Sequence, residues 1–312
     1  MANWTTLDGL TWENRDPKEF FDASVKSSAI LNRFTLYDGI KTKESKAIFK
    51  ATLVFDDTMC TFSPASTADI DEKEFTTSFK RWGFQNCKDA LEDTFRSTML
   101  KKGQLNEETI DAEFLNWVFD YFVKLNGEAL LGFSWSGDGV NIDGIRAELI
   151  LDADVIDVDG SGVSAALTDP ADILDHLELA YNSIPDTLYM QLEGQADRDY
   201  MPAIFLPVAG YKAFKLATAK YGGVEYAGIE QGLLKTYMGL EVLMYSPLAT
   251  TEMLVAAPAN LVMAADDFND TLAIQTEYDR KTNSDSIWGQ YKIGFSYKKG
   301  DEIIHYSTIV VV

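Results

Sequence analysis

From residue 110 onward, apolar side chains recur at spacings of three or four: Ile110, Phe114, Trp117, Tyr121 and Leu125, with Val118 and Phe122 widening the stripe. That period predicts an amphipathic helix, with Asn106 as its cap and Glu107 and Glu108 near its positive end. At about 20 residues it would span about 30 Å, the longest helix the chain predicts. It runs into "SWSGDGVNIDG", with glycines at 137, 139 and 144. Glycine loops beside helices often cradle phosphates, but this one lacks the Lys-Ser/Thr of a Walker loop. It also follows a helix end rather than opening one, and Asp138 and Asp143 would repel phosphate. The glycines therefore read as a helix stop and a change of direction.

Elsewhere the pattern shifts between periods. A helix is predicted over Pro17–Asn32, with Asp16 capping and Pro17 at the first position. "KAIFKATLVFDDTMCTF" (46–62) partly alternates and predicts a strand; "SPASTADIDEKE" reads as a polar turn; "FTTSFKRWGF" reads as the returning strand. Together they predict a long hairpin with little core of its own. "NCKDALEDTFRSTMLKK" predicts an amphipathic helix, with Gly103 interrupting the pattern after it. "DPADILDHLELAYNSIP" predicts another, with Asp169 capping and Pro170 at the first position. "YMPAIFLPVAGYKAFKLATAKYGG" predicts a strand, a break at Pro207, and a helix ended by Gly222. The last third is strand-rich: "GLEVLMYSPL", "EMLVAAPANLVMAA", "TLAIQTEYD" and the final 27 residues. In the last, Ile287, Tyr291, Ile293, Phe295 and Tyr297 share one face, while Gln290, Lys292, Ser296 and Lys298 share a wetter one. The first 35 residues scatter Trp4, Leu7, Leu10 and Trp12 among polar residues. They read as an arm, strapped either to its own chain or to a neighbour.

Composition narrows the function. The chain has 312 residues, 46% of them hydrophobic, enough for one large domain or two ordinary ones. Its formal net charge is −22, which repels nucleic-acid phosphates and anionic membranes. Between Asp138 and Asp199 stand 15 acidic residues against Arg146 and Arg198, with no lysine. No apolar run approaches the ~20 residues of a membrane span. The N-terminus lacks a basic segment followed by an apolar one, so no secretory signal is expected and the chain should stay in the cytoplasm where it is made. Cys60 and Cys87 make neither a disulfide framework nor a structural zinc site, and are expected to stay reduced.

Candidate chemistry is thin. "DADVIDVDGSG" invites a calcium reading, but with Gly160 at the sixth EF-hand position, Val155 and Ala166 fall where the first and last ligands belong. An acidic, solvated turn is the reading. The sharper alternative is weak cation binding through Asp152, Asp154, Asp157 and Asp159. His176 and His305 are the only histidines, and no G-x-S-x-G accompanies them. Acids are too abundant for a carboxylate pair to stand out. The sequence assigns no catalytic, cofactor-binding or metal residue and asks for no cofactor and no enzyme.

The order of elements resembles the major capsid proteins of tailed bacteriophages with the Hong Kong 97-like fold. The resemblance covers most of the chain and rests on order: arm, long hairpin, long helix ending in "FSWSGDGVNIDGI", an α/β insertion, and a strand-rich C-terminus. "FLPVAGYKAFKLA" looks like the family's buried strand leading to a helix. "GLEVLMYSPLATTEMLVAAPANLVMA" resembles the return to the peripheral domain, and "IQTEYDRKTNSDSIWGQYKIGFSYKKGDEIIHYS" resembles its final strand pair. "MCTFSPAS" and "FQNCKDALEDTF" are similar to capsid proteins of Bacteroidetes-infecting, crAss-like phages. The chain departs from the type member in lacking a charged, helical N-terminal scaffolding segment. It also offers no match to that member's self-crosslinking Lys and Asn, so no crosslink is carried over.

The resemblance implies an α+β fold in four parts: an N-terminal arm (1–35), a peripheral domain (36–55, 83–141 and 259–312) with a spine helix, a projecting E-loop (56–82), and an axial domain (142–258). It implies a non-enzymatic virion protein, assembled in the host cytoplasm into homo-pentamers and homo-hexamers of an icosahedral head around double-stranded DNA. Portal, scaffold and decoration proteins would be its partners, with no sequence-specific DNA contact. The alternatives are an encapsulin-like shell around a cargo enzyme and an acidic cytoplasmic enzyme.

Overall fold

The computed structural model describes residues 28–52, 67–87, 112–185, 188, 198–221, 236–266, 275–279 and 284–309. Most of the arm, the predicted helix over 86–102 beyond Cys87, and the Asn106 cap lie outside these residues.

Two sheets organise the chain. The first is built on β12, Ser284–Tyr297, a single 14-residue strand. Along one edge it pairs antiparallel with β4, Ser78–Cys87. Along the other it pairs with β11, Gln275–Asp279, and then with β10, Leu261–Ala265. The short β1, Thr35–Tyr37, adds to β10 in parallel. Tyr291, Ile293, Phe295 and Tyr297 are buried, as their alternation predicts. Ser296, on the face expected to be wet, is also buried, because its hydroxyl donates to Glu148 Oε2 at 2.5 Å.

The second sheet has six described strands. From one edge to the other they are β5 (Ile156–Asp159), β13 (Ile304–Ser307), β9 (Glu252–Ala256), β6 (Ala203–Leu206), β8 (Leu240–Met244) and β7 (Thr236–Tyr237). The three central strands are buried throughout, so both faces are covered. One face, with Ile204, Leu206, Met253, Val255, Ile304 and Tyr306, packs against helices α3 (Ile173–Asn182) and α4 (Val208–Tyr221). The other face, with Phe205 and Leu254, joins a core shared with helices α1 (Ala112–Ser136) and α2 (Ile145–Leu151) and with the first sheet.

Several expectations hold. α1 ends at Ser136, and Gly137 at φ +68° closes it, its N–H donating to the Phe133 carbonyl at 2.9 Å. β6 stops at Pro207 and α4 follows at once.

Others are corrected. The polar "TADIDEKEFT" is not a turn but strand β3, Thr67–Thr76, paired residue for residue with β2, Lys43–Thr52. The predicted returning strand breaks at Thr77, and its second half is β4 of the first sheet. Asn86 and Cys87 end that strand rather than opening a helix. "EMLVAAPANLVMAA" splits at Pro258–Asn260 between the two sheets. "EIIHYS" does not complete a strand pair with β12; it forms β13, between β5 and β9. The predicted helix over 17–32 reaches the described residues only at its end, where Leu31–Arg33 is a 3-10 turn. The helix expected from Pro170 under an Asp169 cap starts later: α3 begins at Ile173 with Asp172 at its N-cap position and no side-chain cap bond, and Asp169 Oδ1 instead accepts the Ala171 N–H at 2.9 Å in the turn before it.

Candidate functional site

The glycine loop after α1 is held by a dense set of side-chain bonds. Asp138 Oδ1 accepts the N–H groups of Val140, Asn141 and Ile142, at 2.9, 2.8 and 2.8 Å. Its Oδ2 pairs with Lys80 of β4. Ser78 Oγ donates to the Asn141 carbonyl at 2.5 Å. The loop's donors therefore turn inward onto its own aspartate rather than outward onto an anion. Gly144 is glycine because a Cβ there would overlap the Trp135 carbonyl and the Gly137 N. This loop is a joint.

Glu252, on β9, holds the two helices that flank the joint. It is 3% exposed. Oε2 accepts the indole N–H of Trp135, the penultimate residue of α1, at 3.2 Å. Oε1 accepts Arg146 Nε–H, at the start of α2, at 2.8 Å. Ser134 and Tyr245 share a hydroxyl hydrogen bond beside it, and burial pushes the Tyr245 phenol well above its usual range despite that bond. Trp135, Tyr245 and Phe205 meet edge to face. A cleft of about 400 Å³ opens between these residues and the strand ends, lined in part by Trp135, Arg146, Pro247, Glu252, Ser307 and Ile309.

Both histidines are buried. His176 is fully buried on α3; its Nδ1 shares a hydrogen bond with the Tyr306 hydroxyl, and its Nε2 lies 2.8 Å from Ser164 Oγ. Burial lowers its pKa against the opposing pull of Asp172 and Asp175. Burial raises Tyr306 to about 12. His305, 1% exposed on β13, meets Asp157 Oδ1 at 3.0 Å and packs near Trp135.

Among the described residues of the acidic segment, Asp152, Asp154, Asp157 and Asp159 do not gather into one site. Asp157 and Asp159 stand on the exposed face of edge strand β5, Asp159 accepting the Ser161 N–H. Asp152 accepts the Tyr297 hydroxyl at 2.6 Å. Among the described residues no group of three or more His, Cys, Asp or Glu gathers as a metal site. Gly160, the glycine of the calcium-like stretch, is there because the Tyr306 ring occupies the place of a Cβ. Cys87 ends β4; Cys60 lies outside the described residues. Among the described residues no helix is long and apolar enough to cross a membrane. Sequence reasoning missed Glu252 as the hub, since it sits 117 and 106 residues from its two partners.

No family model and no curated protein matches the chain. Solved structures do. One is a chain of the "Satellite phage P4 procapsid including size determination (Sid) protein", at TM-score 0.59 and 12% identity, covering 94% of this chain and 99% of that one. Another is the "Capsid of native GTA particle", at TM-score 0.54 and 13% identity, covering 91% and 89%. A virus-like particle from Pyrococcus furiosus follows at TM-score 0.50 and 10% identity, covering 93% and 96%. The class of architecture is therefore that of α+β shell-protein subunits. Specifically, the chain has the Hong Kong 97-like fold found in phage major capsid proteins.

Proposed function

We propose that this chain is a major capsid protein that assembles into pentamers and hexamers of an icosahedral phage head enclosing double-stranded DNA. The observation that carries the reading is the end-to-end likeness to a procapsid chain, with almost nothing left over on either side. The α1 spine and the β12 sheet serve as the peripheral domain. The six-stranded sheet with α3 and α4 serves as the axial domain, to which β13 then belongs. Strand β3 of the β2–β3 ribbon falls within the range read as the E-loop, 56–82. A net charge of −22 suits a container that must not grip its DNA. Subunit contacts are individually weak and become strong by closure. Portal, scaffold and decoration proteins are the partners in the virion, and the subunit itself does no chemistry.

The test is electron microscopy and size-exclusion chromatography of the expressed protein across a concentration series. Closed megadalton particles are the expected result. A 34.8 kDa monomer at every concentration would overturn the proposal. The likeness to the Pyrococcus furiosus particle favours a second reading, an encapsulin-like shell around a protein cargo. Particle contents decide between them: nuclease-protected DNA supports the phage head, and a stoichiometric co-purifying protein supports the cargo shell.

A further inference from the structure

The β2–β3 ribbon is a sheet of its own, fastened to the body in two different ways. Its base is apolar and fixed. Phe75 is buried against Ile40, Val262 and Ala264 and meets the Tyr37 ring edge to face. Thr77 donates its N–H to the Thr42 carbonyl and its hydroxyl to the Ile40 carbonyl, both at 2.9 Å. The ribbon then crosses β12 at Gly294, where the Thr76 carbonyl fills the space a Cβ would need.

Farther out the contact is polar. Lys73 shares the inward face with Phe75, and its Nζ lies 3.9 Å from the Tyr297 ring centroid, 3.5 Å from Glu148 Oε2 and 3.7 Å from Asp152 Oδ2. Both carboxylates are set from beneath, Glu148 by the Ser296 hydroxyl and Asp152 by the Tyr297 hydroxyl. In the ribbon register Lys73 stands opposite Lys46, which reaches Glu44 at 2.6 Å and the Tyr37 ring at 5.4 Å. Two lysines directly opposed weaken a strand pair. Each is compensated differently: Lys73 by the carboxylates and the Tyr297 ring of the body, Lys46 by Glu44 of its own strand and by the Tyr37 ring.

We propose that Lys73 is a latch that fixes the angle at which the ribbon leaves the body, and that opening it lets the ribbon pivot at Thr77. The base stays packed while the latch, partly wet and ionic, opens and closes. The groups facing Lys73 are Glu148 on α2, Asp152 just beyond it and Tyr297 on β12, with Asp143 acting on Glu148 and Asp154 on Tyr297 from around them. Desolvation holds the Glu148 carboxyl above its usual range, opposed by the Ser296 hydrogen bond and by Lys73. Mild acid therefore neutralises Glu148 early and loosens the latch.

The test uses spin labels on the unassembled subunit, in a background with Cys60 and Cys87 replaced by Ser. One label replaces exposed Ile70 on β3 and the other exposed Ser161 on the body. The parent protein at neutral pH should give one narrow distance. K73M, E148Q, and the parent at mildly acidic pH should each lose it for a broad distribution. E148Q removes a desolvated charge, so its denaturation midpoint should not fall, which separates release from unfolding. A control pair at Ser161 and Lys212 should stay narrow. An unchanged narrow Ile70–Ser161 distance in both variants overturns the latch. Because no shell is formed, the outcome is independent of whether the chain assembles.

Discussion

The three glycines of the joint differ in why they are glycine, and alanine at each should separate the reasons. Gly139 has φ +71° and open space around its Cβ position. G139A should cost only the left-handed penalty, about 1–2 kcal/mol. Gly144 has φ −83°, which any residue adopts, but its Cβ would overlap main-chain atoms of Trp135 and Gly137. Main chain cannot step aside as a flexible side chain can. G144A should cost at least the upper part of the overpacking range, about 2–3 kcal/mol. Gly137 carries both burdens, φ +68° and overlap with the Ile142 carbonyl. G137A should approach the sum, about 3–5 kcal/mol. Urea titration followed by tryptophan fluorescence reads the change, since Trp135 is buried beside the joint. Thermal midpoints should fall by about 2–4 °C for each kcal/mol. A silent G144A, or a G139A as costly as G144A, would refute the reasoning.

Glu252→Gln should cost about 1–3 kcal/mol, because the Trp135 bond survives with a neutral acceptor while the charged bond to half-exposed Arg146 is lost. Equal urea midpoints for E252Q and parent would show that Glu252 is not the hub. His176 is buried and neutral, with its pKa lowered by burial. Its contribution is thus full above the unfolded value of about 6.5 and is lost as pH falls below it through the lowered folded value. His176→Gln should flatten stability between neutral and mildly acidic pH; an unchanged slope would assign the loss to other groups. Mass spectrometry of alkylated protein should find Cys60 and Cys87 as free thiols, and a peptide joining them would contradict that.

How much of this was readable followed from how local each cause is. The α1 stop needed only Gly137 after an apolar stripe, and the β6–Pro207–α4 step needed only a proline. β3 was hidden because its strand character owes little to burial: "DIDEKE" is polar on both faces and is held by ladder bonds to β2. A pattern method sees such a run as a turn. The split at Pro258–Asn260 was hidden because its reason lies elsewhere. Asn260 Oδ1 accepts the N–H groups of Lys298 and Lys299, at 3.2 and 2.9 Å, and its Nδ2 donates to the Lys299 carbonyl at 2.9 Å. α2, seven residues long, offered too few turns for a period to show. The joint's glycines were visible as a turn, but the hub that fixes its angle was not, since Glu252 is one of 49 acidic residues until the fold selects it.

The position of β13 bears on how the subunit is made. It lies between β5 and β9, so a nascent chain that has not yet delivered residue 307 leaves two strand edges of the second sheet unpaired. Such edges invite pairing with other chains. The contacts β13 makes are long-range, reaching back 148 residues from His305 to Asp157, and long-range pairings form late. Completion of the sheet is thereby tied to synthesis of Ile304–Ser307. A chain released before residue 304 lacks the strand that joins β5 to β9 and carries both edges open.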